Sequence, residues 1–270
     1  MSEVSPVSDD VCYRHPARQS FVLCQRCTRT ICGPCQTPAA VGVVCPECLR
    51  EERKSAPPRM RIRLGSGRAT ATIVLLVSLV AVYAGQILSG GSLTQLLVYW
   101  PPLTFVEPWR MLTSVFAHSD SSVFHILFNG YSLYVLGTLV ERLIGPARFV
   151  ALFLLSGLGG SVAVLWLSPQ SAVLGASGAI FGLFGALFVI QRSFGGANTQ
   201  LLVVLGLNLV LGFVVPGISW QAHIGGLLVG ALVAWVLVKT RDAAGQSRQT
   251  LLLALVAGGL VAATALRLIV

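Results

Sequence analysis

Polar and apolar residues are sorted into blocks along this chain. After a polar opening stretch, long apolar runs recur at 69–88, 123–143, 149–167, 177–191, 200–215, 221–238 and 250–269. A helix crosses the hydrocarbon core of a bilayer in about 20 apolar residues, so several of these runs predict transmembrane helices. The runs at 177–191 and 200–215 are shorter. A short span is tolerated when other helices surround it and it starts below the membrane surface. The expected fold is an all-α polytopic bundle of six core helices plus one extra C-terminal transmembrane helix. An odd number of spans places the two ends of the sequence on opposite sides.

Composition agrees with a membrane protein. Hydrophobic residues make up 54% of the chain and charged residues 11%, against about 25% charged in soluble domains. The formal charge of +9 would suit a nucleic-acid binder, but its distribution points elsewhere. If the N-terminus is cytoplasmic, all Lys and Arg lie on the inner side except Arg110 and Arg267. That asymmetry is the positive-inside signal, and it accounts for the charge without nucleic acid. Residues 1–10 are polar and acidic and lack the apolar core of a signal peptide. The expected location is the cell membrane, with the N-terminus in the cytoplasm and the C-terminus outside.

All the cysteines fall between Cys12 and Cys48. They form pairs at two-residue spacing: Cys12 with His15, Cys24 with Cys27, Cys32 with Cys35, and Cys45 with Cys48. Eight ligands match two tetrahedral zinc ions. Seven cysteines cannot all pair as disulfides, and a correctly spaced His fills the odd position. A segment this short has little apolar surface, so metal binding would supply its folding energy. The close approach of the second and third pairs favours a cross-brace, with the first and third pairs on one ion and the second and fourth on the other. The pattern resembles a B-box or RING-type zinc finger, which implies a cytoplasmic protein partner. The expected boundaries are a disordered 1–11, a double zinc finger at 12–48, a basic juxtamembrane linker at 49–69, a core at 70–240 and the last helix at 241–270.

Between the first two spans, residues 89–122 are rich in aromatics: Tyr99, Trp100, Phe105, Trp109 and Phe116. Such a loop is expected to sit partly in the lipid interface. Four polar residues interrupt the spans. His125 and Asn129, four apart, share one face of the second span. Ser177 opens the fourth and His223 opens the sixth. Even-numbered spans all start on the outer side, so the four lie at similar depth. Ionisable residues inside spans are costly and point to function. Small residues recur every four positions at Gly178, Gly182 and Ala186, and again at Ala222, Gly226, Gly230 and Ala234. Two such stripes let backbones approach closely, which would bring the Ser177 hydroxyl to the His223 imidazole as nucleophile and base. The backbone N–H groups at a helix N-terminus can also bind an oxyanion. No acidic residue is placed in the core spans at that end. Glu107 and Asp120 in the loop are left open as orienting groups, and a Ser–His dyad is the simplest reading. No metal is expected in catalysis.

These motifs, taken together, resemble those of rhomboid intramembrane serine proteases. The carriers are Trp109-Arg110, His125-x-x-x-Asn129, Glu141-Arg142, Gly175-x-Ser177-Gly178 and Ala222-His223-x-x-Gly226-x-x-x-Gly230, in family order over 70–240. The resemblance implies Ser177 as nucleophile and His223 as base. It implies an oxyanion hole of His125, Asn129 and the Ser177 amide, with Gly175 shaping the preceding loop and Gly178 beside it. Cleavage of transmembrane segments of other proteins near the outer face would follow. One departure is Phe181, where many members have Tyr stacked on the His; stacking should survive and a hydroxyl contact should not. His118 reads as a solvated loop residue and Glu141-Arg142 as a structural ion pair at the inner boundary. A non-catalytic adaptor, binding transmembrane helices and a cytoplasmic partner, is the alternative. A transporter would show internal repeats and mid-depth charges, and neither is present in the sequence.

Overall fold

The computed structural model describes residues 10–39, 41–55, 69–196, 199–215, 217–242 and 245–269. The segments read as a disordered 1–11 and a basic linker 49–69 therefore fall mostly outside the described residues. Their described parts are ordered. Val11 begins a hairpin, and a helix continues through Ser55. The chain divides into two compact units, Met1–Arg61 and Ile62–Val270.

The first unit contains two small antiparallel hairpins. One pairs β1 (Val11–Cys12) with β2 (His15–Gln19), and the other pairs β3 (Thr37–Pro38) with β4 (Val43–Val44). A 3-10 turn (Gly33–Cys35) and helix α1 (Pro46–Ser55) complete it. Its buried core is six cysteines plus Ile31 and Val44. Two aliphatic side chains contribute only about 1.5–3 kcal/mol each, while each ordered residue costs about 1–2 kcal/mol of backbone entropy. Cross-linking must supply the difference, and all the cysteines are free rather than disulfide-bonded.

The second unit is a bundle of apolar helices. Helix α2 (Thr70–Leu88) leads into a connection carrying α3 (Ser92–Leu97) and α4 (Arg110–Thr113). The next span, Val123–Ile144, comprises α5 (Val123–Ser132), one π turn (Leu133–Gly137) and α6 (Thr138–Ile144). Then come α7 (Pro146–Leu167), α8 (Ser177–Ser193), α9 (Thr199–Val214), α10 (Trp220–Lys239) and α11 (Gln246–Ile269). Among the described residues five spans are long and apolar enough to cross a bilayer, and α8 and α9 are shorter. This is an integral membrane protein.

Helix α8 sits at the centre, buried without interruption from Gly178 to Leu187. A helix apolar on all faces is one surrounded by others. Lipid-sized side chains such as Val77, Phe124, Phe128 and Leu255 instead cover the exposed outer faces. The two small-residue stripes meet as expected. A Cβ at Gly226 would overlap the Gly178 carbonyl oxygen, and one at Gly230 would overlap that of Gly182. These helices lie backbone against backbone, as small residues permit in a membrane.

Two expected contacts differ. Glu141 does not pair with Arg142, which is exposed. Its buried carboxylate accepts hydrogen bonds from the Ala71 N–H (2.9 Å), the Thr72 N–H (2.7 Å) and the Thr72 hydroxyl (2.6 Å). The first amides of a helix have no intrahelical acceptor, and a carboxylate there also meets the positive end of the dipole. The aromatic loop also divides. Phe105 and Trp109 are exposed, as interfacial anchors should be. Tyr99 is fully buried, with its hydroxyl 2.9 Å from that of Thr104, and Phe116 packs edge-on against Phe153. Buried Arg110 pins the loop by pairing with Glu107 and donating to the Gln95 and Val98 carbonyls.

Candidate active site and metal centres

Ser177 is the first residue of α8. The loop before it is set by Gly175, whose φ of +118° lies where a side chain is strained. Its N–H donates to the Ser114 carbonyl at 2.9 Å, and a Cβ would stand 2.7 Å from His125 Nε2. Both the backbone angle and the space therefore require glycine.

Helix α10 delivers the partner. Ser219 caps it, its hydroxyl oxygen accepting from the Ala222 N–H at 3.2 Å, which fixes the first turn. His223 in that turn is buried and places Nε2 3.0 Å from Ser177 Oγ. Phe181, one turn along α8, stacks on the imidazole at 4.0 Å and 9°, so the expected stacking is retained. Nδ1 of His223 faces α9, where a Cβ on Gly212 would be 3.3 Å away, and it has no partner among the described residues. The carboxylates left open by the sequence are engaged elsewhere. Glu107 pairs with Arg110, and Asp120 accepts from Thr94 and Gln86.

His125 and Asn129 face the same loop from α5. The Ser119 N–H donates to His125 Nδ1 at 3.3 Å. A neutral imidazole that accepts at Nδ1 carries its proton on Nε2, the atom nearest Gly175. The Asn129 amide donates to the His125 carbonyl at 2.9 Å and lies 3.9 Å from the Cβ position of Gly175. Two N–H donors thus converge on the loop immediately before Ser177.

His118 corrects an expectation: it is fully buried rather than solvated. Gln86 holds its backbone from both sides, accepting from the His118 N–H (2.9 Å) and donating to its carbonyl (2.8 Å). That clamp folds the loop inward, and the imidazole stands edge-on to His125 at 5.1 Å. Burial, and then the neighbouring His125, lower its pKa to about 4, so it is neutral near pH 7. Sequence reasoning missed Gln86, Ser114 and Ser119. Only Gln86 carried a signal, as a polar residue inside an apolar span.

In the first unit, Cys12, His15, Cys32 and Cys35 form one cluster and Cys24, Cys27, Cys45 and Cys48 form the other. This is the cross-brace pairing. His15 Nδ1 lies 3.7, 3.4 and 3.4 Å from the sulfurs of Cys12, Cys32 and Cys35, and the Cys27 and Cys45 sulfurs are 3.8 Å apart. Sulfur ligands about 2.3 Å from a tetrahedral ion lie about 3.8 Å from each other, so both clusters fit one metal ion each. Backbone N–H groups already point at the sulfurs, from Cys45 to Cys24 (3.1 Å) and from Cys48 to Cys45 (3.3 Å). Burial works against the thiolates of Cys12 and Cys24, yet N–H donors outweigh it and bring both to about 6.

Comparison with known proteins bears on the second unit. The Rhomboid domain family model matches residues 106–240. Rhomboid protease GluP of Bacillus subtilis (strain 168) is 39% identical over 136 residues, covering 48% of this chain and 26% of that protein. YdcA of the same organism is 32% identical over 142 residues, covering 50% of this chain and 70% of its own. RHOMBOID-like protein 2 of Arabidopsis thaliana is 36% identical over 139 residues, covering 49% and 43%. The match thus spans about a quarter of GluP's length, and none of these alignments exceeds half of this chain.

Proposed function

Because this chain belongs to the rhomboid family, we propose that it is an intramembrane serine endopeptidase that cleaves transmembrane segments of other membrane proteins by a Ser177–His223 dyad. The observation that carries the reading is the 3.0 Å contact between Ser177 Oγ and His223 Nε2, within the reach of a nucleophile and its base. Ser177 Oγ adds to the scissile carbonyl carbon while its proton passes to His223 Nε2. The resulting oxyanion accepts from His125 Nε2–H, the Asn129 amide and the Ser177 N–H. Collapse breaks the C–N bond, and His223 returns the proton to the leaving amine. Water, deprotonated by His223, then adds to the acyl carbonyl; collapse breaks the C–Oγ ester bond, His223 returns the proton to Ser177 Oγ, and the acid is released. Phe181 holds the imidazole in plane throughout.

The distribution of Lys and Arg supports an orientation with the dyad near the outer face and the first unit in the cytoplasm of a cell membrane. The domain boundaries proposed are 12–48 for the double finger, 70–240 for the protease core and 241–270 for the added helix. The metal is zinc, one structural ion in each cluster, since thiolate and imidazole ligands in tetrahedral spacing suit it and the cytoplasm keeps such thiols reduced. The finger would bind a cytoplasmic protein, and no nucleic-acid contact is proposed.

The test is cleavage of a transmembrane reporter in proteoliposomes. Ser177→Ala and His223→Ala should abolish it, and His125→Ala should lower it about 100- to 1000-fold as loss of an oxyanion donor does. Undiminished cleavage by a folded Ser177→Ala protein would leave the non-catalytic adaptor as the surviving reading.

A further inference from the structure

The dyad occupies one end of the α8–α10 pair. At the other end lies an open cavity of about 790 Å³ that plays no part in the chemistry above. Its origin is in the sequence. Near the dyad the helices touch through Gly178, Gly182, Gly226 and Gly230. Past Ala186 on α8 and Ala234 on α10 the small residues run out, and Phe188, Val189, Trp235 and Val238 line the space between the helix ends.

The cavity is chemically two-sided. Phe188, Trp235 and Val238 give it an apolar wall. Phe188 and Trp235 are also partly exposed, so the wall opens sideways toward lipid. Beyond that wall the lining is cationic: Arg192, Lys239 and Arg241, against one carboxylate, Asp242. Arg192 is fifteen residues beyond Ser177 on α8, which at 1.5 Å per residue is about 22 Å along the helix. The cations therefore lie near the opposite membrane face, where charged side chains reach the headgroup layer.

We propose that this cavity binds an anionic phospholipid of the leaflet opposite the dyad, its headgroup among Arg192, Lys239 and Arg241 and its chains along Phe188, Trp235 and Val238. A soluble anion would leave the apolar wall unused, and a neutral lipid would offer no net charge to Arg192 and Lys239. The ligand spans the last turns of α8 and α10, so it ties together the two helices that carry Ser177 and His223. The site does not depend on the hydrolase reading, since binding is measurable on the inactive Ser177→Ala protein.

The experiment is native mass spectrometry of the full chain in detergent, titrated with phosphatidylglycerol, phosphatidylcholine of the same chains, or inorganic phosphate. Each cation near a membrane surface strengthens attraction to anionic lipid roughly fivefold. The expected result is retention of phosphatidylglycerol at least about tenfold over phosphatidylcholine. That preference should be lost in Arg192→Gln/Lys239→Gln/Arg241→Gln and raised in Asp242→Asn. Circular dichroism checks that both variants remain helical, and Lys239→Gln alone, with a partial loss, substitutes if the triple variant fails to fold. Equal retention of the two lipids by the unaltered protein, or an unchanged preference in the folded variants, would overturn the proposal. Displacement of phosphatidylglycerol by inorganic phosphate would overturn it too, in favour of a soluble anion.

Discussion

Gly226→Ala tests whether helix packing and the proposed chemistry are one arrangement. A methyl group there would overlap the Gly178 carbonyl oxygen and come within 2.6 Å of its carbon, whereas ordinary contact begins at 3.4 Å. Neither atom belongs to a flexible side chain, so α8 and α10 must separate by about 1 Å or more at this level. Gly226 is one turn below His223 and Gly178 adjoins Ser177. The 3.0 Å contact between hydroxyl and imidazole should therefore open beyond hydrogen-bond reach. A displacement of 1 Å at a reacting pair costs about 100-fold in rate, and the overpacking itself costs about 1–3 kcal/mol of stability. Two controls give the magnitude its meaning. A Cβ at Gly178 would lie 3.2 Å from the Ala222 carbonyl oxygen, a strain of a few tenths of an ångström, so Gly178→Ala should lose about tenfold or less. A Cβ at Gly258 in α11 meets nothing within 4 Å, and Gly258→Ala should cleave at the original rate. Initial rates on a transmembrane reporter, alongside thermal unfolding, provide the readout. A folded Gly226→Ala protein cleaving normally would refute the reasoning, as would an equal loss in Gly258→Ala.

Three further outcomes follow from particular contacts. Glu141→Gln removes the charge and one acceptor from a cap of three hydrogen bonds. It should destabilise the bundle by about 2–4 kcal/mol, at about 1.5–3 kcal/mol per charged bond, while Arg142→Gln should be near neutral; equal losses in thermal unfolding would contradict the cap. Atomic absorption should find two zinc ions per chain and one in Cys32→Ser, and a strong chelator should unfold the first unit while the apolar helices keep their circular dichroism. His118 has a native pKa of about 4 against about 6.5 when unfolded. The unfolded state therefore binds more protons between these values, so the contribution of His118 to stability is constant above pH 6.5 and falls toward pH 4. The fall totals about 3 kcal/mol, and melting temperatures from pH 7.5 to 4.5 should show it, flattened in His118→Gln.

What could be read from the sequence divides by the range of the interactions involved. Apolar runs announce spans because a bilayer demands them locally, and each expected span corresponds to a helix. The meeting of Ser177 with His223 was legible for a related reason. Both residues open helices, and a four-residue stripe of small side chains beside each dictates which faces dock. The zinc-type clusters were legible because two-residue spacing is itself the ligand geometry. The misread residues have partners that no local pattern names. Glu141 stood next to Arg142, and adjacency suggested an ion pair. Its actual partners are amides 69 and 70 positions earlier, exposed by the start of α2 and invisible to any periodicity. His118 looked like an ordinary polar loop residue. It is buried because Gln86, 32 positions earlier, supplies both halves of a backbone pair that turns the loop inward. In each case the deciding group is an unpaired backbone amide or carbonyl inside a membrane protein. Such groups cost several kcal/mol if left without partners. A polar side chain within an apolar span is therefore best read as an answer to a backbone group somewhere else, and the first search should be for the helix end or loop that needs it.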